Sequence, residues 1–241
     1  MIEKGFNKIP DEEYFADKQY ISRRDIIDLA YNPNIYFYGG DVKSGKQFEI
    51  GSIFDYISNK TPEEVSKIIK IKEKRGEKSD VEGVFLLTES DYETIMGMYE
   101  VWNNHGMVNL LQQMDSQIVI CDGENKGKPD YISKDKKTII DVKTIDSIDN
   151  VRKNIENYKY YFQKWWYIYI MQNLGFSVGS FQFYFIEKAK PHRIKIVDLS
   201  PLYDAKSEAI YERAVINQSD IDLQMNLVTY QEISPSEWLG V

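Results

Sequence analysis

The stretch Gly127-Lys128-Pro129-Asp130, followed after ten residues by Asp141-Val142-Lys143-Thr144, decides the reading of this chain. Thr138 to Lys143 has the β-branched content of a strand. Asp141 and Lys143 lie two apart on it, so their side chains project from the same face, with Cα atoms roughly 6.5–7 Å apart. The turn Ser133-Lys134-Asp135-Lys136 returns that strand beside Gly127 to Ile132, which brings Asp130 toward Asp141. A lone D-x-K is usually a solvated hairpin. Here Ile139, Ile140 and Val142 flank the acid, and an acid in an apolar strand needs a partner or a metal to offset desolvation. Two hard oxygen donors from separate strands suit Mg²⁺ or Mn²⁺, which keep waters and phosphate oxygens in their shells.

Outward from this segment, the spacing predicts an α/β (α+β) fold: a central mixed sheet flanked by helices, with a helical N-terminal part. Gln117 to Cys121 is a further predicted strand, as are Phe181 to Ile186 and Ile194 to Val197. Residues 151 to 173 read as one long aromatic-rich helix, on which Gln163 and Tyr167 share a face with Tyr160. A last helix is expected from about Pro201 to Val215. Earlier, Ser22 with Asp25 reads as a capping box, Phe48 to Ile57 has helical spacing, and Thr61-Pro62-Glu63-Glu64 opens another helix. Ser90 with Glu93 is expected to cap a helix reaching Asn104, and a shorter helix follows across Val108 to Met114. Gly39-Gly40-Asp41 and Lys72 to Asp80 read as loops, and residues 1 to 20 as a loosely packed lead-in. The expected organisation is a single domain over 1–241: a mainly helical part at 1–115, a catalytic core at 116–216 and a tail at 217–241.

Composition excludes several chemistries. Cys121 is the single cysteine, and His105 and His192, both read as turn residues, are the two histidines. A cysteine-bound cluster, a zinc ribbon and a Ser-His-Asp centre are therefore disfavoured, and carboxylates must carry the chemistry. The net charge of −8 argues against a protein that coats nucleic acid indiscriminately. It leaves room for a local groove, because Lys126, Lys128, Lys134, Lys136, Lys137, Lys143, Lys153, Lys159 and Lys164 surround the proposed site. It also favours a homo-oligomer that lines a channel with such segments and turns its acidic faces outward. The N-terminus lacks a signal-peptide pattern and no apolar run is long enough to span a bilayer, so a cytoplasmic protein without a membrane partner is expected.

The strings GKPDYISKDKKTIIDVKT and YKYYFQKWWYIYIM resemble the core of PD-(D/E)XK superfamily nucleases of the exonuclease VIII (RecE) type, phage or prophage recombination exonucleases. The likeness extends more weakly to Ile21-Ser22 with Asn32-Pro33, to Glu49 through Asp55, and to Phe185 through Lys188 with Pro191. It implies Asp130, Asp141, Lys143 and Gln163 as catalytic residues. It implies a metal held by Asp130, Asp141 and the Val142 carbonyl, with Asp55 a further candidate where the family has histidine. Tyr160, Tyr167, Lys128 and Thr144 are the corresponding DNA-binding candidates. The family's glutamate upstream of the PD strand has two candidate positions here, Asp115 and Gln117. The activity implied is 5′-to-3′ digestion of linear double-stranded DNA ends by a ring-shaped oligomer that feeds a single-strand annealing protein. A structure- or sequence-specific endonuclease, or a silent DNA-binding protein on the same fold, are the alternatives. The iron–sulphur nucleases of related fold need several cysteines and do not fit.

Overall fold

Alternation along the segment Thr138–Ile145 organises the protein: Ile139 and Ile145 enter one apolar core, while Ile140 and Val142 enter another on the opposite face of the sheet. The computed structural model describes residues 1–38, 46–72, 79, 81 and 83–230. Its helices are α1 (Asp11–Ala16), α2 (Arg23–Tyr31), α3 (Pro33–Tyr38), α4 (Lys46–Ile57), α5 (Pro62–Ile68), α6 (Glu89–Asn104), α7 (Met107–Gln112), α8 (Val151–Asn157), α9 (Tyr160–Asn173) and α10 (Asp204–Tyr230). Its strands are β1 (Gly5–Asn7), β2 (Ile21–Ser22), β3 (Ile69–Ile71), β4 (Phe85–Leu87), β5 (Asp115–Ser116), β6 (Val119–Cys121), β7 (Asn125–Gly127), β8 (Tyr131–Ile132), β9 (Thr138–Ile145), β10 (Ser180–Glu187) and β11 (Ile194–Asp198). Among the described residues no helix is long and apolar enough to cross a membrane.

The main sheet has the order β11-β10-β9-β8-β5. Strands β9 and β10 run parallel, with Asp141 opposite Phe183 and Lys143 opposite Phe185. Their connection carries α8 and α9, as a parallel pair requires. One face of the sheet, through Phe181, Phe183 and Phe185, packs on α9, with α2 and α10 beyond. The other face, through Tyr184 and Ile186, packs on α4, α5, α6 and α7. Helices α2 and α10 also pack on each other, and the Asn217 amide donates to the Leu29 carbonyl at 2.7 Å.

The mixed α/β architecture matches the sequence reading, and several boundaries are corrected. The strand expected from Gln117 is interrupted, because Gln117 is left-handed (φ 55) and separates β5 from β6. The strand expected over 127–132 divides around Pro129, which cannot donate to a ladder. Its halves β7 and β8 join different sheets, β7 entering the smaller β1-β6-β7-β2 sheet. The long helix expected over 151–173 is two helices, broken where Lys159 is left-handed (φ 53). Helix α6 is capped by Thr88, which accepts from the Asp91 backbone and donates to its carboxylate, rather than by Ser90. Residues 1 to 20 are ordered: Ile2 and Tyr14 are buried against Val119 and Cys121. The final helix runs past Val215 to Tyr230, through the start of the expected tail. The capping box at Ser22 forms as read, and the helix opened by Thr61 and Pro62 carries a capping box of its own between Thr61 and Glu64. The Gly39-Gly40-Asp41 loop and most of the Lys72–Asp80 loop lie outside the described residues.

A polar clamp closes the end of β10. Glu187 is buried and accepts from the Ile148 backbone at 3.0 Å and from Arg193 through Nε and Nη2, each at 2.8 Å. The Arg193 bonds, against the opposing effect of burial, hold the Glu187 carboxyl down at about 2. A carboxyl depressed in the folded state adds stability above its unfolded pKa, and that stability is lost as pH falls toward the folded value. Glu187→Gln is therefore expected to melt at a lower temperature than wild type at pH 7. The gap should narrow steadily between pH 5 and pH 2, and a pH series of thermal melts of both proteins checks it.

Candidate active site

Strand β9 carries Asp141 and Lys143 on the face that meets α9. Asp141 is fully buried at 0% exposure and makes an ion pair with Lys143, whose side chain is 21% exposed. Its other oxygen accepts from Gln163 Nε2 at 2.6 Å. A carboxylate removed from water survives only when such partners replace its hydration. Gln163 is placed in turn by Tyr167, whose hydroxyl lies 3.3 Å from Gln163 Nε2 and donates to the Lys128 carbonyl at 3.1 Å. Asp130, on the segment between β7 and β8, accepts from the Val142 backbone at 2.8 Å. The two acids and the lysine thus meet at the middle of β9, as the two-residue spacing and the hairpin imply.

The opposite face brings α4 to the same place. A side chain at Gly51 would put its Cβ 3.1 Å from Thr144 Oγ1, so glycine permits the close approach of helix and strand. One turn later Asp55 accepts from Gln117 Nε2 at 3.1 Å, and its second oxygen is buried without a hydrogen-bond partner among the described residues. Of the two upstream candidates, Gln117 is the one that reaches the site. Asp115 is engaged by Lys134 and Lys136 instead. Burial, reinforced by the charge of Asp141 and opposed by Lys143, lifts the Asp55 carboxyl to about 6. Burial and repulsion from Asp141 and Asp55 raise Asp130 well above the usual range. Burial disfavours the charge of Lys143, yet Asp141 and Asp130 outweigh it, and the ammonium is held above the ordinary lysine range.

These groups border a cavity of about 420 Å³. Asp55, Asp130, Val142, Lys143, Thr144 and Tyr160 line it, and Asp141 and Gln163 lie outside its lining. Two of the DNA-contact candidates lie outside the cavity lining. Tyr167 is buried with its hydroxyl committed to Lys128 and Gln163, and the Lys128 ammonium pairs with Asp11. The cavity wall also includes Arg23, Asn154, Tyr158 and Lys188, none of which the sequence reading singled out. Arg23 directly follows the capping serine of α2, and Tyr158 sits at the break between α8 and α9, so neither position stood out by periodicity.

The donor set suits a hard cation in part. Asp130 and Asp141 carry carboxylates on adjacent segments, that of Asp141 engaged by Lys143 and Gln163, and one Asp55 oxygen is buried without a hydrogen-bond partner among the described residues. Among the described residues no three His, Cys, Asp or Glu side chains are gathered tightly enough to chelate an ion alone.

No family model matches the chain, and no curated protein matches it. Among solved structures, that of SSO0001 aligns over 94% of this chain and 92% of its own with 13% identity, but at a TM-score of 0.36 it carries no argument. The crystal structure of a protein from Eubacterium rectale, classed provisionally as an exonuclease, aligns at a TM-score of 0.63 with 15% identity, over 89% of this chain and 88% of that one. The chain therefore shares the mixed α/β fold of that protein across most of its length.

Proposed function

We propose that the chain is a metal-dependent DNA nuclease, and within that class an exonuclease acting 5′-to-3′ on linear double-stranded ends. The observation that carries the reading is the cluster of Asp130 and Lys143 in the cavity wall with the buried Asp141 and Gln163 directly behind them, on a fold shared with a protein classed as an exonuclease. Asp130 and Asp141 would hold Mg²⁺ or Mn²⁺, with the Val142 carbonyl and Asp55 adjoining. When bound, such an ion supplies Lewis-acid polarisation of the phosphate and activation of water.

The protein's own groups divide the remaining work. The Lys143 ammonium is kept protonated by its two carboxylate neighbours, so it serves to orient the attacking water and to offset charge that grows on the phosphoryl oxygens. Gln163 fixes the Asp141 carboxylate through its amide and prevents rotation away from the site. In-line attack on phosphorus expels the 3′ oxygen and leaves a 5′ phosphate. Homologous recombination with a single-strand annealing partner is the cellular setting that we infer. A ring-shaped oligomer fits the charge argument, since the net charge of −8 gives one copy little general hold on a polyanion.

Incubation of end-labelled linear duplex and of closed circular DNA with Mg²⁺ tests the reading. Loss of the linear form alone supports an exonuclease, and an inert protein overturns the proposal. Lys143→Ala is expected to slow cleavage by roughly 10²–10⁴-fold, the range for loss of a positioned proton-transfer or charge-stabilising group, with Asp141→Asn at least as severe. Rates like wild type in both variants would remove these residues from the mechanism.

Asp55 yields a separate prediction. Its carboxyl is raised in the folded state, so its ionisation above about pH 6 opposes folding, and that effect vanishes below the ordinary carboxyl range. In chelator, Asp55→Asn should melt above wild type at pH 8 and approach it as pH falls from 8 to 4. With metal the same variant should need roughly 10–100-fold more Mg²⁺ for half-maximal cleavage. Melting curves with and without Mg²⁺, beside metal titrations of the rate, measure both effects.

A further inference from the structure

We infer that Tyr158 is a stacking platform for an unpaired nucleobase at the end of a substrate strand; this rests on the nuclease reading and names the part of the substrate that the cavity mouth takes. The observation is a graded column of aromatic rings. Phe183 is fully buried on β10, and Tyr160 stacks on it at 5.5 Å between centroids and 28° between planes. Tyr158 stacks on Tyr160 at 5.7 Å and 26°, and remains 53% exposed. One face of the Tyr158 ring is covered by Tyr160, so the exposure falls on the other face, and the residue belongs to the cavity wall.

A scattered exposed aromatic needs no explanation. This one is held in place. The chain breaks between α8 and α9 at the left-handed Lys159, and the Tyr158 carbonyl freed there accepts from Arg23 Nη2 at 2.8 Å. Arg23 is thus a positioning residue for the Tyr158 backbone, and its buried Nε has no hydrogen-bond partner among the described residues. Arg23, Lys143 and Lys188 bring positive charge to the mouth, with Lys143 paired to Asp141 and Lys188 to Asp146. The Lys143 ammonium lies 5.6 Å from the Tyr160 centroid, so the ring column stands beside the group assigned to the scissile phosphate. A flat, polarisable face next to a phosphate site recognises a nucleotide unit, and stacking is tolerant of base identity. A base inside a duplex already has both faces covered by its neighbours. The platform therefore selects a base that has left the stack, at a frayed or single-stranded end.

The test is binding in chelator, where no cleavage occurs. The probes are a short single-stranded oligonucleotide with terminal 2-aminopurine and the same strand with an abasic terminus, each labelled at its far end for anisotropy. Wild type and Tyr158→Phe are expected to quench 2-aminopurine and to bind the abasic strand roughly 10–100-fold more weakly. Tyr158→Leu should bind both strands alike, without quenching, while melting like wild type because the residue is half exposed. Undiminished quenching in Tyr158→Leu, absence of base preference in wild type, or failure to bind either strand would each overturn the inference. The linear-duplex assay stands apart: cleavage there without base preference in binding removes the platform alone, whereas an inert protein removes the nuclease reading.

Discussion

The burial of one negative charge organises this protein. Asp141 lies at the centre of the main sheet with no exposed surface, in a strand that is otherwise apolar. An unpaired carboxylate there would be strongly destabilising, so the fold must deliver partners to it. Lys143 comes from the same strand by the two-residue repeat. Gln163 comes from α9, and can do so only because α9 crosses over the sheet between the parallel strands β9 and β10. The site is a consequence of the crossover.

The same constraint extends outward. Gln163 is held by Tyr167, and Tyr167 by the backbone of Lys128, two residues before Asp130. The acid between β7 and β8 and the amide on α9 are therefore fixed relative to each other by a short chain of hydrogen bonds. On the far side, α4 reaches the sheet over Gly51 and sets Asp55 where its charge opposes those of Asp130 and Asp141. Three acids and one lysine thus stand together, and burial with the repulsion between the acids is what raises the Asp55 and Asp130 carboxyls.

Much of this was legible because strand periodicity is local. The placement of Asp141 with Lys143 follows from their spacing, and the return of Asp130 follows from the hairpin. The helical spacing of Gln163 and Tyr167 correctly put both on the sheet-facing side of α9. What was illegible depends on backbone reversals that few residues announce. Gln117 and Lys159 adopt left-handed conformations with no glycine to signal them, so strand and helix boundaries were misplaced there. The pairing of Lys128 with Asp11 is a contact across more than a hundred residues, which no local pattern announces. The lead-in was read as loose because its apolar residues, Ile2 and Tyr14, show no period; each fills one gap under the small sheet.

That small sheet has a role in alignment. Gly127 on β7 lies so close to α9 that a Cβ there would stand 2.8 Å from the Tyr167 ring, and the Trp166 indole donates to the Lys126 carbonyl at 3.1 Å. Helix α9 is thus seated on the backbone of β7 at these two points. Strand β7 is itself registered by β6 and β2, and β6 by β1 near the N-terminus. The pairing of Gly5–Asn7 is accordingly linked, through two strands and one close backbone contact, to the helix that carries Gln163 over Asp141.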